Sequence, residues 1–410
     1  MIHSILKVSR YFSSRSIHAG LGKNLYHHIA IVGTGPSAFY TAKYCLDLNS
    51  EVRVDLFEKL PTPYGLVRFG VAPDHPEVKT VEETFTQVAE SGRVRLFGNV
   101  EIGDRTEAKP DCIPIDELRK SYSAVVMAYG ASSDMPLNIP GESLKGVVSS
   151  RSFVNWYNGH PDHAQMHNTD FDLSKVEHVV VVGQGNVALD CARILTKSTT
   201  ELQPTDIATD ALTALSKSSI KTVTVLGRRG HIQSAFTIKE LRELTKIPSV
   251  GVRIDEADIT KSRTTASLQE VEGNRPKKRI VELIEKICQE GKVASPPDRE
   301  IHIKYLSTPL EILGDDATQR VRGLRIVRNK LTGEAGKQKA IADIDAYSNN
   351  GTSTDARGSE QVLPCDLLIK AVGYRCQPIS TSQPFNPSTN TIPHLKGRIL
   401  EASSSISTGD

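Results

Sequence analysis

The chain has 410 residues, enough for about two domains, and its 50 basic and 48 acidic residues nearly cancel. That balance removes a bulk electrostatic case for nucleic acid, and no run of roughly 18 apolar residues exists to span a membrane. The six cysteines (Cys45, Cys112, Cys191, Cys288, Cys365, Cys376) are scattered without a CxxC pair, and the twelve histidines show no metal-ligand spacing. A disulfide scaffold, a cysteine-ligated iron–sulfur cluster, a redox dithiol and a protein-bound metal are therefore not expected.

In chain order, MIHSILKVSRYFSSRSIHAGLGKN carries Lys7, Arg10, Arg15 and Lys23, is rich in serine, and has no acid before Asp47. Its apolar run is too interrupted for a secretory signal, and the composition is that of a mitochondrial transit peptide, with a plain disordered tail as the alternative. Residues 1–26 are left out of the fold. The next stretch, HHIAIVGTGPSAFYTAKYCLDL, predicts a buried strand over Ile29–Val32 and then Gly33, Gly35 and Ala38 in GxGxxA spacing, opening a helix. Gly33 permits a tight turn, Gly35 lets the backbone approach a pyrophosphate, and Ala38 lets helix and strand pack closely. The helix start offers free N–H groups to phosphate, and Pro36 sits where a missing N–H costs little. The strand after it, EVRVDLFEK, ends at Glu58, where an acid accepts from ribose hydroxyls. A turn-rich loop follows, with Pro61, Pro63, Gly65, Gly70, Pro73 and Pro76, in which Leu66 and Val67 could lie against a flat apolar ring. SYSAVVMAYGA, residues 121–131, reads as a further buried strand.

The same grammar recurs at SKVEHVVVVGQGNVALDCARIL: a strand over Val179–Val182, then Gly183, Gly185 and Ala188, then a helix from Val187. Asn186 stands near the place of Pro36 and can offer polar contacts. Two such units imply two nucleotides, commonly a bound flavin and a diffusible nicotinamide. The strand expected next, IKTVTVLGRR, lies at about twice the usual separation, so ELQPTDIATDALTALSKSS must be an inserted or lengthened helical excursion. Where that strand runs out, Gly227 and Gly230 bracket Arg228 and Arg229. An exposed arginine pair is ordinarily a solvated loop, but an arginine pair at this position holds a 2′-phosphate that an acid would repel. Further on, LPCDLLIKAVGY (363–374) matches 121–131 in ending on a small residue, an aromatic or valine, and a glycine. Each could equally be an ordinary core strand.

From His28 to about Gly397 the chain resembles the adrenodoxin reductase family of NADPH–ferredoxin reductases, most specifically in YGLVRFGVAPDHPEVK, VVGQGNVALDCARIL, GRRG and AFTIKELREL. The resemblance implies an α/β fold with two Rossmann-like, glutathione-reductase-like dinucleotide domains, the NADP domain inserted in the FAD domain. The expected division is 27–135 and 358–410 for FAD and 136–357 for NADP. By position it implies FAD contacts from Ser37, Glu58, Leu66 and Val100, although the family commonly has alanine where Ser37 stands. It implies NADP contacts from Gln184, Gly185, Asn186, Val187, Arg228, Arg229 and Glu240. A solvent-facing carboxylate is the alternative for Glu240.

The implied activity is oxidation of NADPH by FAD, followed by single-electron delivery to an acidic [2Fe–2S] ferredoxin on the mitochondrial matrix side, with peripheral inner-membrane association as a further expectation. The flavin carries the chemistry, so no nucleophile or acid–base dyad is demanded. His75, beside Asp74, is the one candidate for tuning protons near the flavin, and as a lone loop histidine it is ordinarily structural. An acidic partner would dock on Arg275, Lys277, Lys278 and Arg279, a cluster otherwise explained as a solvated helix start. Relatives continue past KGRILEASSSISTGD into a Gly–Trp pair and an RGPTG-like loop touching flavin and nicotinamide. A chain ending at Asp410 is thus expected to be either a piece of a longer reductase or a non-catalytic remnant that binds NADP and holds FAD poorly. A glutamate-synthase-type NADPH–flavin module shares the paired motifs but usually carries cysteine clusters, and a thioredoxin-reductase-like enzyme needs CxxC.

Overall fold

A computed structural model describes residues 27–290, 298–343 and 360–400. The transit-peptide expectation for residues 1–26, and the last ten residues, lie outside them. The chain divides into two compact units. The first holds residues up to Val71, His75–Ser133 and Tyr374 onward; the second holds Ala72–Asp74 and Asp134–Gly373.

In the first unit the chain runs β1 (His28–Val32), α1 (Pro36–Leu48), β2 (Arg53–Phe57), α2 (Val81–Ala89), β3 (Val94–Phe97), α3 (Ile115–Ser121) and β4 (Ala124–Met127). The strands form a parallel sheet in the order β3-β2-β1-β4. Parallel strands covered by helices read as unbroken apolar runs, and Ala30, Ile31 and Val32 are buried accordingly. Phe39, Tyr64 and Phe85 form an aromatic cluster on one face, with Phe39 and Phe85 stacked at 4.9 Å. Pairs of this kind add about 1 kcal/mol beyond their burial. Deep in the sheet Asp55 is met by His28, Arg95 and Tyr122. Burial pushes its carboxyl up, but the hydrogen bonds from His28, Arg95 and Tyr122 outweigh burial and hold it at about 2.

The second unit runs β5 (Val147–Ser149), α4 (Ser150–Tyr157), β6 (His178–Val182), α5 (Asn186–Thr196), α6 (Thr199–Leu202), α7 (Thr209–Ser216) and β7 (Thr222–Leu226). It continues through α8 (Ile238–Leu244), β8 (Val250–Ile254), α9 (Glu256–Ser262), α10 (Thr265–Gln269), α11 (Arg275–Glu290) and β9 (Arg299–Lys304). The last strands are β10 (Ser307–Gly314), β11 (Val321–Thr332), β12 (Lys339–Ala342), β13 (Glu360–Pro364) and β14 (Leu367–Lys370). A six-stranded parallel sheet has the order β5-β14-β6-β7-β9-β8, and β10 to β13 form an antiparallel sheet around β11.

The excursion demanded between β6 and β7 is α5 followed by the short helices α6 and α7. Leu202, Ile207, Ala211 and Leu215 from it enter the main core, so the added length is folded mass rather than loop. α5 is buried nearly all round, as an apolar helix inside a domain must be. The domain boundaries differ from those expected on one side. The chain rejoins the first unit at Tyr374 rather than near residue 358, because β14 lies between β5 and β6 inside the six-stranded sheet. A polar stretch before β13 reads as a linker, yet the strand that follows it still completes the second unit.

Candidate functional site: two dinucleotide turns

Both Gly-rich turns are built the same way. Gly33 N–H donates to Phe57 O at 2.8 Å, and Gly183 N–H donates to Leu226 O at 2.9 Å. Ala128 N–H donates to Val32 O and Ala371 N–H to Val182 O, each at 2.8 Å. Gly33 has φ +102° and Gly183 φ +143°, a region where side chains are strained. A Cβ on Gly33 would stand 2.5 Å from Ala128 O, and one on Gly183 would collide with Ala371 O. The residues closing 121–131 and 363–374 thus dictate the first glycine of each turn: the Ala128 and Ala371 carbonyls leave no room there for a side chain. The second glycines behave oppositely. A Cβ on Gly35 or Gly185 would meet nothing within 4 Å, leaving room beside the backbone for a pyrophosphate. Gly35 and Gly185 cap α1 and α5, and neither helix start has a side-chain cap. Their free N–H groups and positive dipole ends fit an anion.

In the first turn, Glu58 is 9% exposed. Its Oε2 accepts from Thr34 Oγ1 at 2.5 Å and Thr34 N at 3.2 Å, and its Oε1 accepts from Leu60 N at 3.0 Å. A carboxylate has about four acceptor positions, so Glu58 fixes the turn and keeps capacity for a hydroxyl. Ser37 is exposed in the first turn of α1, and Ala38 is buried against the sheet. Val100 N–H donates to Glu58 O at 2.8 Å, which sets its half-buried side chain beside the end of β2. Tyr64 has φ +85°, an outlier for a bulky residue, and the following Gly65 has φ +49°. Tyr64 N–H donates to Thr34 O at 3.0 Å, its hydroxyl meets Thr86 at 2.7 Å, and a Cβ on Gly65 would stand 3.0 Å from the Gly35 Cα. Strain of this kind persists where surrounding contacts over-determine the backbone. It launches one helical turn, Leu66–Phe69, with Val67 and Phe69 buried and Leu66 59% exposed. His75 is buried, and its carbonyl accepts from Val78 N–H at 3.1 Å.

In the second turn Gln184 occupies the place of Thr34, and Gly227 the place of Glu58. The two are matched: any Cβ on Gly227 would collide with the Gln184 side chain. Among the described residues the buried Gln184 Nε2 bonds to nothing, an orphaned donor that an acceptor on a nucleotide would satisfy. Asn186 Oδ1 accepts from Thr237 N–H at 2.8 Å, tying α5 to the start of α8, and Val187 is half-buried in the first turn of α5. Arg228 is exposed and Arg229 half-exposed, and among the described residues neither guanidinium holds an acid. The residues of both turns fit dinucleotides: beyond its strand the first presents the acid Glu58 and then Lys59, whereas the second presents no acid and two adjacent arginines.

Glu240 is neither solvent-facing nor free. It is 9% exposed and accepts from Arg193 Nη1 at 3.0 Å. Arg193, 1% exposed, also meets Asp74 at 2.8 Å, Asp190 at 2.7 Å and Glu243 at 3.6 Å, and Lys197 meets Asp74 at 2.7 Å. No spacing rule flags this cluster, because its members come from three separate segments. The basic cluster on α11 is split as well: Arg275, Lys278 and Arg279 are exposed, whereas Lys277 reaches Glu270 at 2.7 Å. Burial pushes the Asp74 carboxyl up, but hydrogen bonds and charge from Arg193 and Lys197 outweigh it and hold the group well below its ordinary value of 3.8. The stability this carries is complete above about pH 4 and is lost as pH falls toward the folded pKa. Arg193→Met should cost about 3–5 kcal/mol in denaturant unfolding at neutral pH, because it strands buried carboxylates. The loss should shrink on acidification below pH 4, and a pH-independent loss would contradict the ion-cluster account.

The model of the pyridine nucleotide-disulphide oxidoreductase family matches residues 27–282. The mitochondrial NADPH:adrenodoxin oxidoreductase of Arabidopsis thaliana is 42% identical over 97% of this chain and 76% of its own length. That of Bos taurus is 39% identical over 91% and 71%. The solved structure of Mycobacterium tuberculosis FprA in complex with NADPH superposes with a TM-score of 0.80 at 38% identity, covering 91% of this chain and 76% of that one. Paired dinucleotide turns on two parallel sheets, and these likenesses, give one conclusion: the chain belongs to the pyridine nucleotide-disulphide oxidoreductases, in their NADPH:adrenodoxin oxidoreductase branch.

Proposed function

We propose that this enzyme takes electrons from NADPH through bound FAD and delivers them to an acidic [2Fe–2S] ferredoxin on the matrix side of mitochondria. The observation that carries the reading is the unequal ending of two otherwise equivalent turns: Thr34 with Glu58 in one, Gln184 with Gly227, Arg228 and Arg229 in the other. FAD, when bound, supplies the chemistry that accepts a hydride pair and gives up electrons singly.

The chain's own residues bind and orient. Gly33, Gly35 and the start of α1 hold the flavin pyrophosphate, and Glu58 accepts from its ribose. Ser37, Leu66 and Val100 line the same site. At the second turn Gly185 and Val187 admit the pyrophosphate of NADPH, and Gln184 and Asn186 supply polar contact. Arg228 and Arg229 pair with the 2′-phosphate, whose charge an acid at position 227 would oppose. Glu240 acts through Arg193, by setting where α8 lies against α5. Arg275, Lys278 and Arg279 form the docking patch for the ferredoxin, with Lys277 a lesser member held by Glu270. The matrix location is supported by the basic, serine-rich, acid-free leader.

Replacing Arg228 and Arg229 together with alanine should raise the KM for NADPH by about a hundredfold, as losing two charge-assisted contacts implies, and that for NADH by less than about threefold. Equal effects on both cofactors would refute the assignment. Charge reversal at Arg275 and Arg279 should lower ferredoxin turnover most at low salt and spare dye reduction by NADPH; an equal loss with the dye would remove the patch from docking.

A further inference from the structure

The tripeptide that leaves β7, Gly227-Arg228-Arg229, has all three of its carbonyls held by residues far away in sequence: Leu306 in the bend before β10, Ser307 at the start of β10, and Asn329 in β11. Ser307 N–H donates to Gly227 O at 2.9 Å and Leu306 N–H donates to Arg229 O at 3.1 Å. Between them, the Asn329 side-chain amide donates through Nδ2 to Arg228 O at 2.8 Å. Asn329 is 3% exposed, its Nδ2 also meets Thr308 Oγ1 at 2.8 Å, and its backbone N–H donates to Leu306 O at 2.8 Å. A carbonyl can only accept, so the NH₂ end of this amide must face Arg228. Leu306 sits at φ +49° while fully buried. A bulky residue there is strained, and such strain persists only where the surroundings hold it. The result is a brace on the backbone of the arginine pair, whose own side chains meet no acid among the described residues.

We propose that Asn329 is a positioning residue for cofactor choice: it fixes the Arg228 peptide so that the guanidinium meets the 2′-phosphate of NADP(H). The role rests on the reading of Arg228 and Arg229 given above. It separates two functions in the second unit, the parallel sheet carrying the dinucleotide turn and the antiparallel sheet setting which dinucleotide that turn prefers. Buried polar side chains cost stability unless fully bonded, and Asn329 uses both amide hydrogens on two acceptors, one of them the Arg228 carbonyl.

The test is equilibrium binding of NADP⁺ and of NAD⁺ to the flavin-loaded chain by titration calorimetry. The proteins are wild type, Arg228→Ala/Arg229→Ala, Asn329→Ser and Asn329→Asp. Aspartate keeps the shape and can accept from Thr308, but it cannot donate to the Arg228 carbonyl. Both Asn329 variants should bind NADP⁺ about tenfold more weakly, the scale of one buried hydrogen bond, with NAD⁺ affinity within about twofold of wild type. Equal weakening of both nucleotides, or unchanged NADP⁺ affinity, overturns the role of Asn329 while an impaired arginine double variant leaves the phosphate reading standing. Wild-type NADP⁺ affinity in that double variant removes the phosphate reading and the inference together. If Asn329→Ser does not fold, the near-isosteric Asn329→Asp decides.

Discussion

A backbone carbonyl pressed against a glycine is the constraint on which both nucleotide turns depend. Ala128 O stands over Gly33 and Ala371 O over Gly183, each so close that no side chain fits. The contact forces the chain to reverse immediately after β1 or β6, and only that reversal points the next helix N-terminus back over the end of the sheet. Everything else at the sites is placed by it: the second glycine with open space beside it, the small residue packed on the strand, and the end of the neighbouring strand where ribose or phosphate is read. β4 and β14 therefore do more than complete two sheets. Each supplies the wall against which its own turn is folded.

Given two equal turns, chemistry divides them through a pair of matched residues. Thr34 is small and hydroxylated, which leaves room for the Glu58 carboxylate and bonds it twice. Gln184 is larger and fills the space where any side chain at 227 would have to go. With glycine at 227, the first side chains beyond the strand are Arg228 and Arg229. On the proposed reading specificity is partly negative, since no acid stands at position 227, where it would repel a 2′-phosphate. The buried Arg193 cluster works on a different level, binding α5, α8 and the short segment at Asp74 into one body. Because removing one member strands buried charges, the cluster holds these segments only as a complete set.

Much of this is legible in the sequence because it is local. GTGPSA and GQGNVA carry their φ requirements in the glycines, and the length between β6 and β7 demands additional helices. The arginine pair is legible through its place after a strand. What is not legible is whatever depends on partners remote in sequence. Glu240 reads as an NADP contact by resemblance or as a surface carboxylate on IKELREL, and only folding brings Arg193 to it. Lys277 reads like its neighbours, yet Glu270 claims it. Asn329 lies in an ordinary strand, far along the chain from the peptide that it holds. The chain's return to the first unit is misplaced toward residue 358 because a polar stretch of sequence signals a linker, whereas the pairing of β14 between β5 and β6 is a property of the sheet. Tyr64, with its positive φ, gives no sign at all beyond the glycine that follows it.

The central claim is that one turn holds a flavin and the other presents NADPH to it. The most direct measurement is the visible absorbance of the purified chain, loaded with FAD and desalted, during anaerobic mixing with NADPH and, separately, with NADH. The account requires that the flavin band survive desalting and bleach much faster with NADPH than with NADH. A colourless protein, or bleaching at the same rate with both nucleotides, would contradict it.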